Sequence, residues 1–419
     1  MSTDVSTGMS TDADVLVLGG GMAGGMLAAA LANTPLHVRV LDGAPAPVMP
    51  DGEPGLRVSA LSEASQRMLA ATGAWQQLPA GRLGPYTRMA VWDADGTGRV
   101  EFSAAEAGAD QLGWILENDA CTAALHAACT GADNLEWECG VRVTAMERNP
   151  GPASGGWQLR DSDGRRLRAP LLVGADGANS LVRERAGIPS APRNTGHVAL
   201  VATIETEQDH GGCARQRFME GGPLALLPLF GTGHLVSIVW SLPPEQAESL
   251  MQCDDAAFAE RLTAASEACL GRLRPVSRRV VFPVRELHAS DYVRDGLALI
   301  GDAAHVIHPL AGQGINLGLL DAAVLAEEML RAREQGLDFH DPRALQRYQR
   351  RRRGHNLLML NSMRGFKRLF EQRAPGLRFL RNRGMSLVND TAPLKALFAR
   401  QALGRGGDLP WLARGGMSS

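Results

Sequence analysis

The sequence predicts an α/β protein: a Rossmann-like nucleotide-binding domain, an inserted antiparallel β-sheet domain and a C-terminal helical region. Three observations predict it. "DVLVLGGGMAGGMLAAALAN" near the N-terminus reads as strand, glycine turn and helix. From about Thr195 to Pro283 the chain changes to apolar or alternating runs separated by Gly, Pro and acidic turns. After residue 333 it becomes basic and helically periodic. At 419 residues and 45% hydrophobic content, two or three packed units can share a sizeable core.

In the first element, Val15 to Leu18 is a short buried strand and Met26 to Leu31 a strong helix former. Between them Gly19, Gly21 and Gly24, with Met22 and Ala23 in the same turn, match G-x-G-x-x-G. The first glycine makes the tight turn, the second admits a pyrophosphate and the third lets helix pack on strand. The helix N-terminus offers unpaired N–H groups to the phosphates. The motif alone is weak, but a second strand, "HVRVLD", ends in Asp42, placed to accept from a ribose hydroxyl. A dinucleotide is expected here.

Two further strand-turn-helix units follow. "APLLVGADGANSLVRERAG" carries Gly174, Asp176, Gly177, Ser180 and Arg183. "ALIGDAAHVIHPLAGQGINLGLLDAAVLAEEML" closes a strand at Gly301 and Asp302, then opens a helix through Gly312, Gly314, Ile315 and Asn316. The two histidines of this stretch, His305 and His308, fit a base, a ligand or a structural role equally by residue type.

These three motifs in this order resemble the flavoprotein aromatic hydroxylases, the single-component FAD monooxygenases, over roughly Asp14 to Phe370. Within them, "RVSALSEASQRMLAATGAW", "LGWILEN", "QRFMEGGPLALLPL" and "HPLAGQGINLGLLD" are similar to the ubiquinone-biosynthesis hydroxylases. Leu320 departs from the pattern, since relatives commonly carry arginine before the aspartate. The resemblance implies tightly but non-covalently bound FAD, with NAD(P)H and O2 as co-substrates. It places Asp302 at the ribityl chain, and Gly314, Ile315 and Asn316 at the ring, where a helix N-terminus stabilises negative charge. Arg57 and Asn118 match residues near the pyrophosphate; a surface ion pair and a plain helix cap are their competing readings. Asp176 serves the cofactor in relatives, although "DG" also makes an ordinary turn. Val143 completes the cofactor-binding set. For His305 a structural role is favoured over catalysis. His308 stands evenly between a catalytic and a structural role, and Pro309 would fix the loop at the ring face or be an ordinary turn proline; no side-chain base is singled out, since the resemblance leaves the chemistry to the flavin.

The implied division is a disordered leader (1–12), an FAD-binding domain in three parts (13–85, 105–194 and 286–332), substrate-domain strands (86–104 and 195–285) and the helical tail (333–419). The implied activity is hydroxylation of a polyprenylated phenol in ubiquinone biosynthesis through a flavin C4a-hydroperoxide. Two rivals remain: a hydroxylase of a small soluble aromatic, and a low-activity flavoprotein within a quinone-synthesis complex whose proteins would be its partners. A flavin reductase or dehydrogenase is a further reading.

A net charge of −2 argues against nucleic acid as partner, yet it hides an asymmetry. Arg343 to Arg405 holds 16 basic and two acidic residues, a local +14 that leaves −16 elsewhere. "GHNLLMLNSMRGFKRLFEQ" within it reads as a basic amphipathic helix, either packed on the flavin domain or a second subunit, or lying on an anionic membrane. Six cysteines lack CxxC pairing and no metal-ligand spacing occurs, so free thiols and no metal are expected. With no apolar run of the ~20 residues needed to span a bilayer and no secretory signal, the expected location is cytoplasmic or peripheral to the inner membrane.

Overall fold

The computed structural model describes residues 11–94, 96, 98–149, 156–307, 314–371, 375–391, 395–396, 399–400 and 403–414. Residues 1–10 of the expected leader lie outside these. Asp12, assigned to the leader, is tied down: its N–H donates to the Arg168 carbonyl at 2.9 Å and its carboxylate accepts from the Arg168 N–H at 2.8 Å.

The nucleotide-binding core is a six-stranded sheet. Its strand order is Val293–Arg294, Leu297–Leu299, Leu171–Gly174, Val15–Leu18, Val38–Asp42 and Leu135–Cys139. All pairs are parallel except the edge hairpin of the first two. "VLVL" and "LLVG" are buried at every position, because helices cover both faces of a parallel sheet. The helix Met22–Leu31 is apolar on nearly all sides, as its position between sheet, helix Asn118–Cys129 and helix Gly314–Glu334 requires.

The second unit is a nine-stranded sheet built around Arg193–Thr206, Leu235–Leu242, Leu224–Pro228 and Cys213–Phe218. In "LALLP" both faces are buried, with the side chains alternating between two cores. Leu224 and Leu226 face the helices Pro244–Gln252 and Asp255–Ala265. Ala225 and Leu227 face a small sheet of Val58–Leu61, Gly84–Tyr86 and Gly113–Glu117. One joint departs from the antiparallel expectation. Arg88–Asp93, arriving from the nucleotide-binding half, runs parallel to Cys213–Phe218. These strands are separated by more than a hundred residues, so no hairpin turn constrains their direction.

Helix Pro342–Glu371 spans 30 residues and shows where the basic charge goes. Arg347 and Arg351 pair with Glu328, Arg351 also with Glu327 and Asp408, Arg352 with Asp321, and Arg364 with Glu286. Further along, Lys395 pairs with Glu106 and Arg405 with Glu63. The acidic body of the chain is thus the partner of much of its basic tail. The outward face of the helix is different: Leu357 and Leu358 are 36% and 64% exposed, and Arg350, Arg353 and Arg368 are exposed beside them.

Candidate functional site

The glycine turn is built by backbone contact. Gly19 sits at φ +104°, and a Cβ there would lie 2.4 Å from the Ala175 carbonyl oxygen. A Cβ on Gly24 would lie 1.9 Å from the Gly19 carbonyl oxygen. Gly21 is the exception, since a Cβ there meets nothing within 4 Å. The two outer glycines permit close packing and the middle one borders open space. Gly21 also precedes helix Met22–Leu31 without any side-chain cap, which leaves the helix N-terminus facing that space. Asp42 ends its strand beside the turn: one carboxylate oxygen accepts from the Gly20 N–H at 2.7 Å and the other from the Ala44 N–H at 2.8 Å. Each oxygen keeps a lone pair for a further donor.

The distant "GDAAH" stretch reaches this turn through a contact of small residues. Gly301, at φ +58°, has no room for a side chain, since a Cβ would meet the Ala23 Cβ at 2.8 Å. Gly318 of the long helix lies against the same pair. Asp302 keeps an exposed edge yet is crowded by protein, and this desolvation pushes its carboxyl up from the ordinary aspartate value, against the pull of His305 and Arg57. His305 and Val306 form a two-residue strand on Val280–His288, so this segment is stitched to the edge of the large sheet. His308, Pro309 and Gly312 lie outside the described residues. The next described element, helix Gly314–Glu334, starts at Gly314.

Arg57 projects outward with its guanidinium 5.5 Å from the centre of the Phe282 ring. It makes no ion pair among the described residues, so the competing surface ion pair is absent there. Its segment is held by a pair absent from the sequence-derived candidates: Glu117 accepts from Arg82 Nε and Nη2, both at 2.7 Å, and from the Gly55 N–H at 2.6 Å. Asn118 opens its helix, and its Oδ1 accepts from Ser59 Oγ at 2.7 Å, not from a helix N–H. A cleft of about 1160 Å³ runs from Glu53–Arg57 and Asp119 to Arg274, Arg278, Arg279 and Phe282.

Three candidates have side chains turned to structural tasks. Asp176 Oδ2 accepts from the Val182 N–H at 3.1 Å and so caps a helix, while its Oδ1 is buried without a donor. Arg183 donates to the carbonyls of Ala303 and Ala178, both at 2.8 Å, joining two motif loops. Asn316 is buried; it accepts from the Ser62 N–H and Ser65 Oγ and donates to the Ala60 carbonyl. Only its backbone can serve a ligand. Val143 is half-buried at the start of strand Val143–Asn149, packed against the main core, and Ile315 is half-buried in the first turn of its helix.

The model of the FAD binding domain family matches residues 12–360. The chain belongs to the FAD-binding hydroxylases, in their ubiquinone-biosynthesis branch. It is 36% identical to 3-demethoxyubiquinol 3-hydroxylase of Escherichia coli over 93% of this chain and 98% of that one. It is 38% identical to ubiquinone hydroxylase UbiL of Rhodospirillum rubrum over 96% and 93%. With mitochondrial ubiquinone biosynthesis monooxygenase COQ6 of Homo sapiens it shares 34% identity over 93% and 92%. Among solved structures it is similar to PqsL, a probable FAD-dependent monooxygenase from Pseudomonas aeruginosa. The TM-score is 0.73 and the identity 26%, over 90% of this chain and 100% of that chain.

The hydroxylase is an FAD-dependent monooxygenase, and its geometry fits the cofactor. The open side of Gly21 together with an uncapped helix N-terminus suits a pyrophosphate, and Asp42 lies beside the same turn with acceptor capacity to spare. The sequence singled out the glycines and the motif acids. It did not single out Arg82, Glu117 or Arg352, whose ion-pair partners lie more than thirty residues away in the chain. The "LGWILEN" fragment was the one signal that pointed toward Glu117.

Proposed function

We propose that this monooxygenase hydroxylates the aromatic ring of a polyprenylated phenol in ubiquinone biosynthesis, with NAD(P)H and O2 as co-substrates. The observation that supports it most is similarity along nearly the whole chain to hydroxylases whose names place them in that pathway. Bound FAD supplies the redox chemistry and the activation of oxygen. The chain does the rest. Gly19, Gly21, Met22, Ala23 and Gly24 hold the pyrophosphate, with Asp42 at the ribose and Arg57 and Asn118 nearby. Asp302 meets a hydroxyl of the ribityl chain. The N-terminus of helix Gly314–Glu334 stabilises negative charge at the ring edge.

The large sheet is the wall we assign to the substrate pocket, a reading supported by the pairing of His305 and Val306 with its edge at Leu287 and His288. A dry wall there shields the reaction from water. The Arg57 cleft, with Arg278 also free of ion pairs among the described residues, suits the phosphates of the visiting nicotinamide cofactor. No helix among the described residues is long and apolar enough to cross a membrane. A lipid-borne substrate is instead met from the surface, through Leu357, Leu358 and their flanking arginines.

The test is mass spectrometry of quinone-pathway lipids in cells lacking the protein. A prenylated phenol short of one hydroxyl should accumulate and clear on complementation. An unchanged quinone profile in a strain with no second hydroxylase overturns the reading and favours a small soluble aromatic as substrate.

A further inference from the structure

Tyr348, Arg352 and Asn356 stand one turn apart on helix Pro342–Glu371 and point into the protein, where they are at most 2% exposed. Each reaches the segment that the function reading assigns to the flavin. Tyr348 donates its hydroxyl proton to the Leu299 carbonyl at 2.6 Å, at the end of the strand before Gly301. Arg352 Nε and Asn356 Nδ2 donate to Asp321 Oδ1 at 2.7 and 3.0 Å, and Arg352 Nη2 also meets the Leu317 carbonyl. The other Asp321 oxygen accepts from the Gly301 N–H at 3.2 Å and from His305 Nε2.

Asp321 is therefore a hub with four donors and no exposure. It grips both ends of the turn that carries Asp302, while Arg352 grips the first turn of helix Gly314–Glu334. Because an ionised carboxylate only accepts, His305 presents Nε2 to Asp321 as an N–H donor. The charge matters as much as the geometry. Asp321 contributes a full negative charge beneath the loop, and Arg352 is the cation bonded to it. An unbalanced anion there would oppose the gathering of electrons on a nearby ring.

We infer that Arg352 is a positioning residue for the flavin: through Asp321 it holds the Gly301–His305 turn in place and cancels a buried negative charge that would otherwise disfavour flavin reduction. This rests on the FAD reading above, and the wild-type protein serves as its separate control. If wild type cannot be loaded with FAD, the function reading fails; if it loads and the variants match it, only this inference fails.

The experiment is a redox titration and an FAD-binding titration of Arg352→Gln, Arg352→Lys and the charge-balanced pair Asp321→Asn/Arg352→Gln. Arg352→Gln should shift the flavin midpoint potential to more negative values and weaken FAD binding by about tenfold, the scale of losing hydrogen bonds to a charged group. Arg352→Lys keeps the charge and should keep the potential while still weakening binding. The double variant should recover the potential but not the affinity. Should Arg352→Gln fail to fold, the double variant decides, because it leaves no unpaired charge: wild-type affinity in it overturns the positioning role. A wild-type potential in Arg352→Gln overturns the charge role, and so does a shifted potential in the double variant.

Discussion

Gly21 and Gly24 are three residues apart in one turn, yet a side chain would meet different things at each. At Gly24 a Cβ would strike the Gly19 carbonyl oxygen at 1.9 Å, whereas at Gly21 it would enter open space. Gly21→Val should therefore keep the melting temperature of the apoprotein and lose FAD binding, read by flavin absorbance after dialysis against FAD. Gly24→Val should lower the melting temperature itself. His288 makes a prediction of another kind. Burial, with His305 and Arg353 nearby, pushes its pKa down to about 4 from 6.5. Between those values the unfolded chain binds a proton that the folded one does not, so stability falls as pH drops from about 6.5 toward 4. In urea titrations across that range, His288→Gln should flatten the slope; an unchanged slope would show that other groups carry it. Both glycines could be singled out in the sequence because their spacing is local. The shifted His288 could not, because its environment is assembled from a strand, a turn and the tail helix.

At the scale of elements, Asn316 behaves as a latch. Its side chain satisfies Ser62, Ser65 and Ala60, on a strand and the start of a helix more than two hundred and fifty residues earlier. Asn316→Ala strands buried polar groups and should cost about 3 kcal/mol, measured by urea denaturation. The sequence placed Asn316 correctly at a helix start but could not tell which way its side chain turns.

The tail helix posed two readings, packing or membrane contact, and its two faces divide them. Arg352, Asn356 and Leu360 are buried, Phe370 stacks on Phe218 with ring centres 3.9 Å apart, and Leu357 and Leu358 remain outside. Leu357→Glu with Leu358→Glu should leave the melting temperature unchanged and reduce co-sedimentation with vesicles containing anionic lipid. Wild-type sedimentation by the double variant would remove this face from the membrane reading.

For the whole molecule, the opposed charges of body and tail tie helix Pro342–Glu371 to helix Gly314–Glu334. Glu328 alone, 1% exposed, is paired with Arg331, Arg347 and Arg351. Ligand binding should add to this. FAD at a hundredfold excess over its Kd stabilises the native state by about 2.7 kcal/mol, so the melting temperature should rise with FAD concentration. A melting temperature independent of added FAD, in protein stripped of flavin, would argue against a preformed site.

The sequence by itself determined the parallel nucleotide-binding core, the existence of a strand-rich insertion and the basic amphipathic tail. These follow from glycine spacing and from periods of two and 3.6 residues, which act over a few positions and survive in a one-dimensional reading. Tertiary structure decided what meets what: the parallel joint between Arg88–Asp93 and Cys213–Phe218, the Gly301–Ala23–Gly318 contact, and the pairing of the tail with the acidic body. Charge and hydrogen-bond partners are chosen by distance in space, and nothing in local periodicity says that Arg352 will find Asp321.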